Sequence, residues 1–284
     1  MILVTGASGQ LASQTLAALH ARGVPAEGGS RRPGPGVRHL DLDEPAGLDL
    51  RGVSVLVLVS AGYAEDDRVV ARHAAAIEAA VRDGVGQVVY TSVTAAGDHL
   101  GFALAHRVTE RLLEGSGVAF TVLRNGLYAE LFGALLTWTA DGLESAFGTG
   151  ALSAVARQDL AEAAAVVAAA PTGHRGATYE LVGAPITADD VAGRLGVGHR
   201  TTGLAQYRDE LLATEGLLPF QPPMLMSIAT SVRHGLLSAG GPDLTALLGR
   251  PAVDPLVLAA AAAAASRPRS GAAPTAQPAD RRAG

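Results

Sequence analysis

The sequence predicts an α/β protein: a doubly wound parallel sheet with a smaller, mostly helical C-terminal lobe. Three observations predict it. The chain opens on the apolar run Ile2-Leu3-Val4, passes at once into Thr5-Gly6-Ala7-Ser8-Gly9, and continues with Leu11, Leu16 and Leu19 roughly on one helical face. Short apolar runs then alternate with helical segments as far as Gly183. From Pro185 onwards the periodicity breaks into shorter helical stretches divided by glycine and proline. Strand, glycine turn and helix in immediate succession form the context that a Rossmann dinucleotide fingerprint requires. Gly6 suits the tight turn, Gly9 lets the backbone approach a pyrophosphate at the positive helix end, and Ala12 stands where the fingerprint takes a third glycine or an alanine. A glycine-rich βα turn without a ligand is the plainer alternative.

Composition narrows the function. The 284 residues suffice for one large α/β domain or a main domain with a small cap, and the 48% hydrophobic content suffices for a sizeable core. Aromatics make up only 4%, so alanine, valine and leucine must fill that core. A formal net charge of -5 argues against direct nucleic-acid binding. With no cysteine, disulfides, thiol catalysis and Cys zinc sites are excluded. The N-terminus lacks a signal-peptide pattern, and the apolar stretch 256–265 is shorter than the roughly 20 residues of a membrane-spanning helix. A cytoplasmic protein with no membrane partner is expected.

The second strand, 24–30, reads poorly because Pro25, Gly28 and Gly29 are weak strand residues. Its end carries more information. An NAD site places an acid about 20 residues beyond the glycines, and Glu27 stands near that place. Ser30, Arg31 and Arg32 follow it, and a hydroxyl with two guanidinium groups suits a 2′-phosphate better than a bare ribose. A solvated basic loop explains the same residues. NADP(H) is therefore the preferred cofactor, with NAD(H) left open by Glu27. Residues 37–43 read as a third strand and its exit, where Asp41 can accept from an adenine amino group; the alternative is that Asp43 simply starts the next turn or helix.

The run 53–60 is a clear strand. Ser60-Ala61-Gly62 lies at its carboxyl end, where open α/β sheets bind ligands and where small residues admit a ribose or nicotinamide; a plain tight turn is the alternative. A helix over 69–81 and a strand over 87–90 follow, with Thr91 and Ser92 at the strand's end within reach of nicotinamide or substrate, although a serine there is commonly a helix cap. Helix 104–113 carries His106, Arg107, Thr109 and Glu110. Strand 119–123 exits through Arg124-Asn125-Gly126-Leu127-Tyr128. Helices are expected over 132–138, 160–170, 186–195, 204–215, 224–237 and 243–248, and a strand over 177–182. Asp159 reads as a cap or a first-turn anion of helix 160–170. The tail 266–284, rich in Pro, Ala, Arg and Gly, is expected to be disordered. The organisation expected is a dinucleotide-binding core over 1–125, a crossover into the lobe over 126–153, a return to the core over 154–183, a substrate lobe over 184–255, and an alanine-rich segment and tail over 256–284.

Several stretches together resemble the atypical short-chain dehydrogenase/reductases of the NmrA-like branch, and within it the NAD(P)H:quinone oxidoreductases of the QOR2 type. They are Val4-Thr5-Gly6-Ala7-Ser8-Gly9-Gln10-Leu11, Tyr90-Thr91-Ser92, and His106 with Thr109-Glu110. Gly117 through Gly126, Tyr128-Ala129-Glu130, Tyr179-Glu180-Leu181 and Leu248-Gly249-Arg250-Pro251 extend the match over roughly 1–255. The resemblance implies a cleft between a Rossmann core and a smaller lobe. It implies Gly6, Ser8, Gly9, Gln10 and Leu11 around the pyrophosphate, Arg31 at the NADP phosphate, Asp41 on the adenine side and residues 60–62 at the nicotinamide ribose. Asn125 and Tyr128 would face the substrate.

The tyrosine–lysine pair of ordinary reductases is missing, since the chain contains no lysine at all. Protonation of an alkoxide by such a pair is disfavoured. Hydride transfer to a quinone builds phenolate-like charge, which hydrogen-bond donors or water can satisfy, and His106 and Tyr128 are the available donors. His106 as a surface or capping residue and Tyr128 as a core aromatic remain the alternatives. The leading expectation is an NADPH-dependent oxidoreductase acting directly, without flavin or metal, on a quinone or related conjugated carbonyl, including an aromatic or polyketide-like metabolite. The second is an NADP(H)-binding redox sensor working through a regulatory protein partner; a ligand-free structural role comes third. A homodimer is the further partner expectation.

Overall fold

The computed structural model describes residues 1–61 and 63–268. Strand β1 (Ile2–Thr5) enters α1 (Gln10–Ala21) through the glycine turn; β2 (Ala26–Ser30), β3 (Val37–His39) and β4 (Val55–Leu58) follow. Then come α2 (Asp66–Arg82), β5 (Gln87–Val93), α3 (Ala103–Ser116) and β6 (Phe120–Asn125). The chain leaves this layer for α4 (Ala129–Ala134), β7 (Thr137–Thr139), β8 (Gly142–Ser145) and β9 (Ala151–Ser153), and returns through α5 (Arg157–Ala169) and β10 (Thr178–Leu181). It ends in β11 (Pro185–Thr187), α6 (Ala188–Leu195), β12 (Gly198–Thr201), α7 (Leu204–Ala213), α8 (Gln221–Arg233), α9 (Asp243–Leu248) and α10 (Pro255–Ala265).

Seven parallel strands form one sheet in the order β10-β6-β5-β4-β1-β2-β3. Ile2 and Val4 of β1 pack towards α1 and α5, while Leu3 packs towards the α2–α3 layer. Both faces are thus covered, which is the condition for continuous apolar strands such as 55–58. The sheet is a doubly wound Rossmann-like sheet with a helical C-terminal lobe. Its strand order reverses between β1 and β4, so the crevice at their carboxyl ends is the topological switch point.

The poor strand signal of β2 has a packing cause. A Cβ on Gly28 would stand 2.6 Å from the Ala7 Cβ, and one on Gly29 would stand 2.8 Å from Leu40 Cδ2. Glycine here lets the turn after β1 lie against β2, where the Ala7 amide donates to the Gly29 carbonyl. Strands β5 and β6 run further than the sequence suggests, and take Thr91, Ser92, Arg124 and Asn125 into the sheet.

The lobe has its own core, in which Phe132 and Phe147 stack at 4.9 Å between centroids. The helix expected over 132–138 is corrected: α4 ends at Ala134, and Trp138 lies between Thr137 and Thr139 in a strand, with its Nε1 donating to the Ala263 carbonyl at 2.6 Å. The helix expected from Ile186 begins at Ala188 instead, because Thr187 and Asp190 form a reciprocal capping box. Helix α10 occupies the alanine-rich segment and packs on α4, where a Cβ on Gly133 would stand 2.0 Å from the Ala259 carbonyl oxygen. The tail expectation is corrected at its start, since Ser266 closes α10 and Arg267 lies 4.6 Å over the Trp138 ring. Residues 269–284 lie outside the described residues. Among the described residues, no helix is long and apolar enough to cross a membrane.

Candidate dinucleotide and acceptor cleft

A cleft of about 580 Å³ opens at the switch point. Its walls hold Thr5, Gly6, Ser8, Gly9, Gln10, Leu11 and Ala12 of the first turn and helix, Ser30 and Arg31 after β2, and Ser60 and Ala61 after β4. Leu40, Leu42, Asp43, Val59, Tyr63, Arg72, Tyr128 and Arg157 complete it. Gly6 takes φ 66°, and the Gly9 amide closes the turn on the Gly6 carbonyl at 2.8 Å. Helix α1, with Gly9 at its N-cap, has no side-chain cap and no acidic residue in its first turn, and its positive end faces the cleft. That arrangement fits an anionic pyrophosphate. The donor set beyond β2 fits a further phosphate: Ser30 and the exposed Arg31 line the cleft, while Glu27 is bound by Arg38 at 3.1 Å. Gly62 lies outside the described residues.

Two residues expected beside the adenosine stand apart from this wall. The Asp41 carboxylate accepts from the Asp43 amide at 2.9 Å, which makes it a turn-former. Arg32 is exposed, and its amide donates to the Ser30 Oγ at 3.2 Å. The acid that lines the cleft is Asp43, which receives two bonds of 2.8 Å from Arg72 and one of 3.2 Å from Arg68. Hydrogen bonding to Arg72 holds its carboxyl down at about 2, well below the usual carboxylate range. Arg72 also reaches the Ala61 carbonyl at 3.3 Å. Sequence reading missed this pair; helical spacing puts Arg68 and Arg72 on one face of α2, the one signal that was available.

Thr91 and Ser92 are buried inside β5 and do not line the cleft. Thr91 acts on the cleft from behind, its Oγ1 accepting from the Ser60 amide at 3.0 Å. Ser92 donates to Glu110 at 2.5 Å, in a network where Arg107 and Arg124 each approach Glu110 at 2.6 Å. His106 also lies outside the wall. Its Nδ1 pairs with the Tyr90 hydroxyl at 2.8 Å, and burial pushes it down to about 4. Asn125 ends β6, buried, with its Oδ1 unpartnered and without a place in the cleft lining.

Tyr128 does line the cleft, where α4 begins beside Val155. Burial raises its hydroxyl pKa, keeping it protonated. Arg157, at the start of α5, holds its guanidinium 4.5 Å from the Tyr128 ring centroid and donates to Gln10 Oε1. Its Nη1 stands 3.9 Å from Glu130 Oε1, which also accepts from the Arg157 amide at 3.3 Å. Sequence reading missed Arg157 because its partners come from 147 and 29 positions away along the chain. The Tyr63 ring meets Phe220 edge-on at 5.5 Å, joining the cleft rim to the lobe. Among the described residues no group of three or more His, Asp or Glu side chains is arranged to hold a metal ion.

No family model matches the chain. Quinone oxidoreductase 2 of Escherichia coli is 36% identical over 203 residues, spanning 64% of this chain and 68% of that one. Its structure complexed with NADPH superposes with a TM-score of 0.80 at 29% identity, over 92% of this chain and 99% of that chain. Triphenylmethane reductase of Citrobacter sp., complexed with NADP(H), gives a TM-score of 0.80 at 27% identity, over 93% and 100% of the two chains. NmrA, a negative transcriptional regulator in complex with NADP, shares the fold at a TM-score of 0.71 and 15% identity, over 91% and 94%.

Proposed function

The chain belongs to the superfamily of NmrA-like and QOR2-like oxidoreductases, and on that premise we propose that it is an NADPH-dependent reductase of quinones or related conjugated carbonyls. One observation carries the reading. The uncapped α1 N-terminus and the Ser30–Arg31 pair line one cleft, while Glu27, the acid that would favour a bare ribose, is occupied by Arg38. NADPH when bound supplies the hydride. Gly6, Gly9, Gln10 and Leu11 would hold the pyrophosphate, Arg31 the 2′-phosphate, and Ser60 and Ala61 the nicotinamide ribose.

The acceptor side follows from Tyr128 and Arg157. Phenolate-like charge on an acceptor oxygen needs a proton donor or a cation placed before the reaction begins. The part-buried Tyr128 keeps its hydroxyl protonated and would donate a hydrogen bond to that oxygen, while the Arg157 guanidinium over the ring favours negative charge beside it. Leu11, Val59 and Tyr63 give the cleft wall apolar surface against which an acceptor ring can lie. A titration with NADPH and NADH, followed by NADPH oxidation across quinones and conjugated carbonyls, tests the reading. Tight NADPH binding with turnover of at least one such acceptor is the expected result, and failure to bind NADPH overturns it. The missing tyrosine–lysine pair keeps one second reading, an NADP(H) sensor acting through a protein partner. Binding that discriminates oxidised from reduced cofactor without turnover of any acceptor would favour it.

A further inference from the structure

The wall of the cleft after β4 is held by an unusual set of bonds. Three successive amides are each tied to a side chain from a different element. The Val59 amide donates to Thr5 Oγ1 at 3.0 Å, the Ser60 amide to Thr91 Oγ1 at 3.0 Å, and the Ala61 amide to His73 Nε2 at 3.0 Å. Thr5 and Thr91 come from neighbouring strands. His73 comes from α2, fully buried, and touches no cleft space itself.

Bond polarity then assigns the imidazole. An amide can only donate, so Nε2 carries a lone pair. In a neutral ring Nδ1 therefore bears the hydrogen, and it donates to Thr109 Oγ1 at 2.8 Å. Thr109 can accept, because its own hydroxyl donates to the Ala105 carbonyl at 2.7 Å. Donors and acceptors match along this chain of bonds, and a protonated ring would have no acceptor left for Ala61. Arg72, the residue before His73 on α2, holds the Ala61 carbonyl at 3.3 Å, so both sides of this peptide segment are fixed from one helix.

We propose that His73 is a positioning residue which, through Nε2 alone, sets the Ser60–Ala61 wall in the shape that receives the nicotinamide end of the cofactor. The proposal rests on the reading of the cleft as an NADP(H) site. It separates two jobs on one ring: Nδ1 anchors α2 to α3 through Thr109, and Nε2 shapes the cleft.

Two substitutions dissect them. His73→Gln keeps an acceptor oxygen near the Nε2 position and loses the Nδ1 donor. His73→Asn keeps a donor near Nδ1 and falls short of Ala61. Both are expected to lower thermal stability. In titrations with NADPH, on variants shown folded by circular dichroism, His73→Asn should weaken binding about tenfold and His73→Gln by no more than about twofold. Equal losses, or no loss in either, overturn the proposal while leaving the NADPH reading intact; a wild-type chain that does not bind NADPH overturns both. A measurement on the unaltered chain stands independently of variant folding. The ring nitrogens of His73 observed by NMR should show an unprotonated Nε2 and a protonated Nδ1, with the Ala61 amide slow to exchange. The opposite tautomer overturns the proposal.

Discussion

Acid should destabilise this protein through His73 before most carboxylates begin to protonate. Burial pushes His73 down to about 3 from an ordinary 6.5, and the neighbouring His106 and Arg72 charges act in the same direction. Thr109, the Ala61 amide and the Tyr90 ring edge face it, and among the described residues no carboxylate pairs with it. A depressed folded value means that the unfolded chain takes up the proton first as pH falls. The stability held by the neutral ring is therefore fully present above about pH 6.5 and is lost progressively towards about pH 3. At about pH 5 the difference in proton binding amounts to about 2 kcal/mol, a sizeable part of a typical unfolding free energy of roughly 5–15 kcal/mol. The assay is urea denaturation of the wild-type chain and of His73→Gln at about pH 8 and about pH 5. The variant has a lower stability at both values but lacks this proton. The wild-type chain should lose about 2 kcal/mol more than the variant between them. Equal losses in the two chains would refute the assignment of a buried neutral imidazole.

Replacing Arg31 by alanine should raise the NADPH dissociation constant roughly 10- to 100-fold and leave NADH within about twofold; an equal loss for both cofactors would assign Arg31 to general electrostatics. Tyr128→Phe should lower quinone turnover about tenfold or more without a comparable change in NADPH affinity, and unchanged turnover and acceptor affinity would remove its hydroxyl from the reaction. Gly133→Ala should force α4 and α10 apart, since the new Cβ would lie 2.0 Å from the Ala259 carbonyl oxygen, and should cost about 1–3 kcal/mol. A melting temperature equal to wild type would show that the two helices separate freely.

The legible parts of the fold are those whose order is local. Ile2-Leu3-Val4, the glycine turn and α1 lie within about 20 residues, so periodicity and turn chemistry speak for the same contacts. Where a residue answers to a partner far along the chain, local reading misleads. Gly28 and Gly29 look like strand breakers, yet Ala7 and Leu40 leave no room for a side chain there. Alanines 259–265 carry little periodic signal, and their packing depends on Gly133 and Trp138, more than 120 positions earlier. The short lobe strands, such as Thr137–Thr139 and Gly198–Thr201, have no apolar alternation because each is only three or four residues long and partly exposed.

The same division runs through the cleft. The phosphate-facing half is legible because backbone amides and a helix end recognise an anion, and glycine spacing reports where the backbone can do so. The acceptor half is assembled from Tyr128 on the approach to α4, Arg157 on α5 and Gln10 on α1, whose contacts cross almost 150 positions of sequence. Residue type alone therefore singled out His106, which is held behind the sheet by Tyr90, and passed over His73, which reaches the cleft wall through one amide. The two histidines differ less in chemistry than in what their second ring nitrogen can reach. A neutral imidazole that both donates and accepts can join a helix interior to a loop, whereas arginine can only donate and an ionised carboxylate can only accept. That dual capacity explains why a histidine, despite its desolvation cost, occupies position 73 between a threonine hydroxyl and a backbone amide.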